Sequence, residues 1–374
     1  MSTAEGMVGT VLWGGFALGL AFGAVAQRSN FCTMGAMSDI VNMNHWSRAR
    51  MWLLAMAVAI AGATALHYFG QVNLAHSIYR RGASLPWLSL LLGGAIFGVG
   101  MTLAGGCANK NLLRLGGGSL RSLVVLAFMA ISAYMTLKGL FGQWRVSWLD
   151  PVSVRLEGTS LKDPSLGQAV ANLTGLGAGS ATAAVAAVVV LALLAFVFKD
   201  ARFRGNGLQV GSGIALGALV VAGWYVSGHL GYGENPETLE QVYFATNTRT
   251  IESLSYVAPT AFSLELLMLW TDKTLHPTFG IVSLLGIVIG AGLVSRLTGA
   301  FRWEGFASVD DLKTQILGAV LMGFGGVTAL GCTVGQGLTG VSTLAIGSFV
   351  SLAAIIAGAV GAMRYQAWRL DRMA

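Results

Sequence analysis

From Thr314 to Met363 the chain reads TQILGAVLMGFGGVTALGCTVGQGLTGVSTLAIGSFVSLAAIIAGAVGAM, fifty residues without one Asp, Glu, Lys or Arg. A helix crosses the hydrocarbon of a bilayer in about 20 residues. This stretch is too long for one crossing and must turn back inside or at the membrane. Midway it carries Gly331-Cys332-Thr333-Val334-Gly335-Gln336-Gly337-Leu338-Thr339-Gly340, where glycine and polar residues interrupt the apolar run. Met7–Gln27, Gly82–Asn109, Pro164–Phe198 and Gly205–Gly233 also lack all four charged residue types. The expected fold is an all-α polytopic membrane protein of about nine transmembrane helices plus re-entrant half-helices.

Composition agrees. Of 374 residues, 55% are hydrophobic and 10% charged, and the mean hydropathy is +0.68. A soluble domain carries about a quarter charged residues, so this chain lacks the polar surface that water requires. No basic segment precedes the first apolar run and no small-residue cleavage site follows it, which reads as a retained helix, not a signal peptide. The net charge of +7 reads as basic cytoplasmic loops, not as a nucleic-acid surface. Lys199, Arg202 and Arg204 make one such loop, and Arg364, Arg369 and Arg372 mark another at the C-terminus. The acidic Glu234–Glu252 reads as external. Trp13, Trp46, Trp52 and Trp87, near span ends, read as interfacial anchors.

The interrupted motif has a partner. Gly93, Gly98, Gly100, Ala104, Gly106, Cys107 and Leu113 recur at a constant offset of 225 residues as Gly318, Gly323, Gly325, Ala329, Gly331, Cys332 and Leu338. Glycine matches are cheap among 52 glycines, but the paired Gly-Cys is not. A weaker echo links Ala17-Leu18-Gly19 with Ala215-Leu216-Gly217. The expected organisation is two homologous halves, 1–170 with Cys32 and Cys107, and 171–374 with Cys332. Glycine-interrupted apolar segments in matching positions point to a transporter binding site near mid-membrane. Backbone that leaves the helix in lipid must be buried in protein or a wet cavity, and a helix that restarts there offers unpaired amides to an anion. Gly93, Gly98 and Gly100 read as close-packing positions.

Cys32, Cys107 and Cys332 are the only cysteines, and each opens a small or polar turn at the end of an apolar run. Their odd number and wide spacing argue against disulfides and against a zinc or redox pair. Thiols are soft, weak hydrogen-bonding groups that suit a ligand bearing sulfur or selenium, or a soft metal. A soft-metal site would call for flanking Met and His, and only Met34 is close; the five histidines show no ligand spacing.

These residues carry a resemblance. The Gly331–Gly340 motif resembles the signature of the YeeE/YedE (sulfur-transport) membrane family. Gly105-Gly106-Cys107-Ala108-Asn109-Lys110-Asn111-Leu112-Leu113-Arg114-Leu115-Gly116-Gly117-Gly118 is similar to the other repeat of that family, with Lys110 where the family favours Arg. Gln27-Arg28-Ser29-Asn30-Phe31-Cys32-Thr33-Met34-Gly35-Ala36 is similar to its N-terminal motif. The resemblance spans most of the chain and is weakest over 143–205 and 231–275. It implies a multi-pass protein of the bacterial inner membrane that imports thiosulfate or a related sulfur anion, with Cys32, Cys107 and Cys332 handing the anion along. It further implies a small cytoplasmic sulfur-carrier protein as partner. No enzymatic step, cofactor, resident metal or nucleic acid is expected, and nothing resembles a nucleotide-binding loop. Selenium-compound or soft-metal transport, a membrane sulfurtransferase with a Cys persulfide, and a structural membrane subunit are the rivals.

Other polar residues have two readings each. Lys110 attracts a dianion or marks the cytoplasmic face. Asn109 and Gln336 sit in the two breaks and are candidate amide donors to an oxyanion. Glu265 lies in the apolar run Tyr256–Trp270; it carries a coupling proton, or it pairs with a neighbour near a helix end.

Overall fold

The computed structural model describes residues 3–80, 84–155, 163–235 and 238–372, so part of the polar connection 143–172 lies outside it. The described chain is mostly helical and includes two small antiparallel pairs, Ser84–Leu85 with Val154–Arg155 and Tyr232–Glu234 with Gln241–Tyr243. The chain opens with α1 (Thr3–Ser29), α2 (Thr33–Met43), α3 (Ser47–Tyr68), α4 (Trp87–Leu103), α5 (Ala108–Gly116) and α6 (Leu120–Lys138). Short α7 (Leu140–Trp144) and α8 (Leu166–Thr174) lead into α9 (Ala178–Phe198) and α10 (Ala201–Arg204). There follow α11 (Gly207–Tyr225), α12 (Val257–Met268), α13 (Phe279–Leu297) and α14 (Val309–Thr328). A short, mostly π-helical turn, Gly335–Gly340, precedes α15 (Ile346–Asp371).

Eight helical segments are long and apolar enough to cross a membrane, with α2 continuing α1 and α5 continuing α4 in two of them. The chain is a multi-pass membrane protein. Helix α14 has 20 residues but opens with Asp310, Asp311 and Lys313, and α12 is a shorter apolar helix. The two acidic residues of α14 favour its N-terminus electrostatically, and Ser308 caps it by accepting from the Asp311 amide at 3.1 Å.

Packing joins helices far apart in the chain. Helix α1 lies along α13 and α3 along α11; α4 packs on α14 and α15, and α14 also packs on α6. Small residues make this possible, since van der Waals contact replaces the hydrophobic drive that lipid removes. At Gly100 a Cβ would come within 2.7 Å of the Gly318 carbonyl oxygen, and at Gly325 within 2.5 Å of the Phe97 amide. The expected close-packing role of this glycine row is what the structure has. Helix α9 is the most apolar span and the least enclosed, with 17% of its core window buried. Its exposed Val188 and Leu191 belong against lipid.

Candidate functional site: three cysteines at three helix breaks

The same backbone device precedes each cysteine. After α1, α4 and α14 the chain turns through a left-handed residue two positions before the thiol: Asn30 (φ 53°), Gly105 (φ 68°) and Leu330 (φ 59°). The next amide reaches five residues back, Phe31 to Ala26 at 3.0 Å, Gly106 to Met101 at 2.9 Å and Gly331 to Gly326 at 2.8 Å. That bond closes a helix C-terminus in the Schellman manner. Cys32 and Cys107 are then extended (φ −153°, ψ 121°; φ −71°, ψ 173°), and helices α2 and α5 start at the next residue. At Cys332 the helical turn restarts at Thr333 and runs to 342. Two of the thiols cap the helix they open. Cys32 Sγ accepts from the Gly35 amide at 3.2 Å, and Cys332 Sγ from the Gly335 amide at 3.4 Å.

Carbonyls freed by the breaks must find donors, because no water reaches them in lipid. Asn111 Nδ2 donates to Gly106 O at 2.9 Å and to Cys107 O at 3.2 Å, and Arg114 donates to Gly105 O at 2.9 Å. Across the molecule, Gln336 Nε2 donates to Ala329 O. Asn111 and Gln336 are 225 residues apart, the offset of the paired cysteines, and each holds its own break. The counterpart of Gln336 is thus Asn111, which the constant offset aligns with it, and not Asn109. Asn109 is buried with its Oδ1 unpartnered, as is Gln336 Oε1.

The three breaks meet in the interior. Cys107 and Cys332 are fully buried and Cys32 nearly so, all with free thiols. Cys107 has Thr333, Cys32 and Cys332 among its neighbours. Around Cys332 stand the amides of Gly335, Val334 and Tyr256. Among the described residues no three His, Cys, Asp or Glu come close enough to hold a metal ion. The thiols are therefore strung out, not gathered in one cage.

Charge sits at the two ends of this string. Beyond Cys332, a cavity of about 180 Å³ is bounded by Tyr79, Arg145, Glu252, Ser255, Leu330 and Gly331. Glu252 Oε1 accepts from the amides of Asn247 (2.9 Å) and Thr248 (3.2 Å). Burial outweighs those donors and pushes its carboxyl up to about 7. At the other end, Lys110 Nζ lies 3.5 Å from Asn30 Oδ1, next to the Cys32 turn, with Arg48 and Arg114 among its neighbours. A Cβ on Gly35 would be 2.8 Å from Arg48 Nη1 and 3.5 Å from Cys32 Sγ, which places a guanidinium beside that thiol.

Two other candidates resolve structurally. Glu265 is buried and ion-paired with Lys138 at the end of α6, the pairing reading. Trp52, expected as an interfacial anchor, is instead buried; its ring fills the space above Gly337. Trp13, Trp46 and Trp87 are exposed as expected. A separate apolar groove between α2, α3 and α15, lined by Met37, Trp46, Leu53 and Ile356, offers nothing to an anion.

A family profile described as Sulphur transport matches residues 28–361. The chain is 26% identical over 360 residues to a protein of Spirochaeta thermophila named thiosulfate transporter TsuA, covering 93% of this chain and 97% of that one. It is also 26% identical over 373 residues to the Escherichia coli protein of the same name, covering 93% of each.

Proposed function

The chain belongs to the Sulphur transport family, and from that premise we propose that it imports thiosulfate, or a close sulfur oxyanion, along the line Cys332–Cys107–Cys32. The observation that carries this is the convergence of three buried thiols, each at the start of a helix that begins inside the protein. The names of the two relatives support thiosulfate as the cargo.

In this account the anion enters the cavity beside Arg145, whose guanidinium is ion-paired with Asp150 at 3.3 Å. It then meets the Cys332 thiol and the first amides of the 333–342 turn, passes Cys107 and leaves past Cys32 beside Lys110 and Arg48. The interior donors are neutral. A path must bind its cargo well enough to admit it and weakly enough to release it, and thiols and amides meet both needs better than a buried cation would. Helix N-terminal amides favour the negative charge, and the thiols face the soft terminal sulfur. Asn109 adds an amide beside Cys107; Gln336, its N–H₂ engaged by Ala329, serves the path by holding the break open.

Three further assignments belong to the same proposal. Helix α14 is a ninth crossing, and the segments after the breaks are re-entrant. Residues 1–170 and 171–374 are matching halves: the pairs α1 with α13 and α3 with α11, and α4 with α15 and α14 with α6, are what two exchanged halves would give. The membrane is the bacterial inner membrane, with Lys199, Arg202 and Arg204 inside, so that Lys110 and Arg48 face the cytoplasm and any sulfur carrier. Uptake of labelled thiosulfate, selenite and sulfate by liposomes containing this protein alone tests the proposal; accumulation of selenite in place of thiosulfate would reassign the cargo.

A further inference from the structure

Two buried hydroxyls stand beside the thiols: that of Tyr256 has no partner, and that of Thr333 has the Cys107 thiol next to it. Thr333 and Tyr256 are each 0% exposed, and neither Thr333 Oγ1 nor the Tyr256 hydroxyl makes a hydrogen bond of normal geometry. Buried polar groups are paired in the great majority of cases, and one left unpaired asks for an explanation. Here the two hydroxyls share a neighbourhood. Thr333 follows Cys332 in the chain and stands beside the Cys107 thiol in space. Tyr256 is a neighbour of Cys332, and its amide faces that sulfur.

The position of Tyr256 is built, not incidental. Residues 251–256 run from the polar connection into the interior, with Ile251, Leu254 and Tyr256 fully buried. Thr339 Oγ1 donates to Leu254 O at 2.6 Å, fastening this segment to the turn that follows Cys332. The Tyr256 ring packs on Phe22 of α1 (centroids 5.9 Å apart), and Phe22 meets Phe31 edge-on at 6.3 Å. Phe31 immediately precedes Cys32. A row of three aromatic rings thus leads from the neighbour of Cys332 to the neighbour of Cys32.

We propose that the Tyr256 and Thr333 hydroxyls are substrate-positioning donors that hold the oxygen end of the anion while the thiols face its sulfur. This rests on the thiosulfate reading above. Hydroxyl donors suit charge-dense oxygens, and thiols suit the larger, softer sulfur, so the two kinds of group together fix which way round the anion lies. Phe22 and Phe31 supply no hydrogen bonds and keep water from competing for the anion. An orphan hydroxyl that waits for a ligand is costly to the empty protein, and the cost is recovered when the oxyanion arrives.

The test uses Tyr256→Phe and Thr333→Val, which keep shape and remove the hydroxyl, with Thr333→Ser as the conservative variant. The readouts are KM and maximal rate of thiosulfate uptake in proteoliposomes, and thermal unfolding of the purified proteins. We expect Tyr256→Phe and Thr333→Val to raise KM by about tenfold, the equivalent of roughly 1.4 kcal/mol, and Thr333→Ser to restore it. We also expect Tyr256→Phe to unfold no earlier than the unaltered protein, because removing an unpartnered buried polar group costs nothing in stability. Unaltered protein that transports, with both variants at its KM, overturns this inference alone. Unaltered protein that takes up no thiosulfate overturns the transport reading and this inference with it.

Discussion

The side-chain amide of Gln336 donates to the carbonyl of Ala329, seven residues back across the break that carries Cys332. Only Ser351 Oγ, at 3.4 Å, also reaches that carbonyl. Gln336→Leu keeps the bulk and removes the donor, leaving a buried acceptor poorly satisfied at a cost of about 1–3 kcal/mol. Asn111→Leu releases the Gly106 carbonyl, while that of Cys107 keeps the backbone amide of residue 111 at 3.0 Å, and should cost about as much. Thermal unfolding in detergent should place both below the unaltered protein; unfolding temperatures equal to the unaltered protein's would remove the clamp role.

At Cys32 the thiol also serves as a helix cap, accepting from the Gly35 amide. Serine can keep both the cap and an O–H donor, whereas alanine loses both, and a lost cap costs about 0.5–2 kcal/mol. Cys32→Ser should therefore transport better and unfold later than Cys32→Ala. The reverse order in uptake would mean that the softness of sulfur is what Cys32 supplies.

Glu252 borders the entry cavity with its carboxyl pushed up to about 7 by burial. Below that pH it is neutral and admits an anion; above it the carboxylate repels one. Uptake should fall as the outer pH rises from about 6 to about 8, and Glu252→Gln should flatten that step. The sign for stability is the same. A carboxyl whose pKa is raised on folding favours the folded state below its unfolded pKa, and that contribution is lost as pH rises through the folded value. An unchanged pH profile in Glu252→Gln would clear Glu252 of this role.

Much of this was legible in the sequence. Charge-free windows marked α1, α4, α9, α11 and α15 but not α3, α6 and α13, and Gly-Cys pairs at a fixed offset located two breaks where a helix ends and another begins. The third, at Asn30-Phe31-Cys32, shares their geometry without sharing their glycines: Asn30 takes the left-handed turn that Gly105 takes before Cys107. What the sequence hid depends on long-range packing. Tyr256 reaches Cys332 only because the 251–256 segment folds inward, and nothing in its local pattern announces that. Glu265 looked like an isolated charge because Lys138, its partner, is 127 positions away. Trp52 lies near a span end and still faces inward, since helix rotation cannot be read from distance to a loop.

Selectivity follows from the thiols. Sulfate and thiosulfate share charge and near-tetrahedral shape, so Arg145, Lys110 and helix amides hold them about equally. They differ at one atom, where sulfate must shed tightly held water to face a weak S–H donor. A poorly matched polar group in a dry site costs on the order of 1–3 kcal/mol, roughly ten- to hundredfold in affinity. Excess sulfate should barely slow thiosulfate uptake; sulfate that competes as well as unlabelled thiosulfate would make this a general oxyanion transporter.

The central claim is that thiosulfate crosses by way of the buried thiols, and uptake by liposomes containing purified Cys107→Ala or Cys332→Ala protein tests it most directly. Cysteine packs as a small hydrophobe, so Cys107→Ala should leave nearly the same amount of folded protein in the membrane, and Cys332→Ala, which also loses the cap on the Gly335 amide, somewhat less. Each should also bring uptake of labelled thiosulfate down to that of protein-free liposomes, while the unaltered protein accumulates it. Uptake at the unaltered rate by either variant would contradict the account.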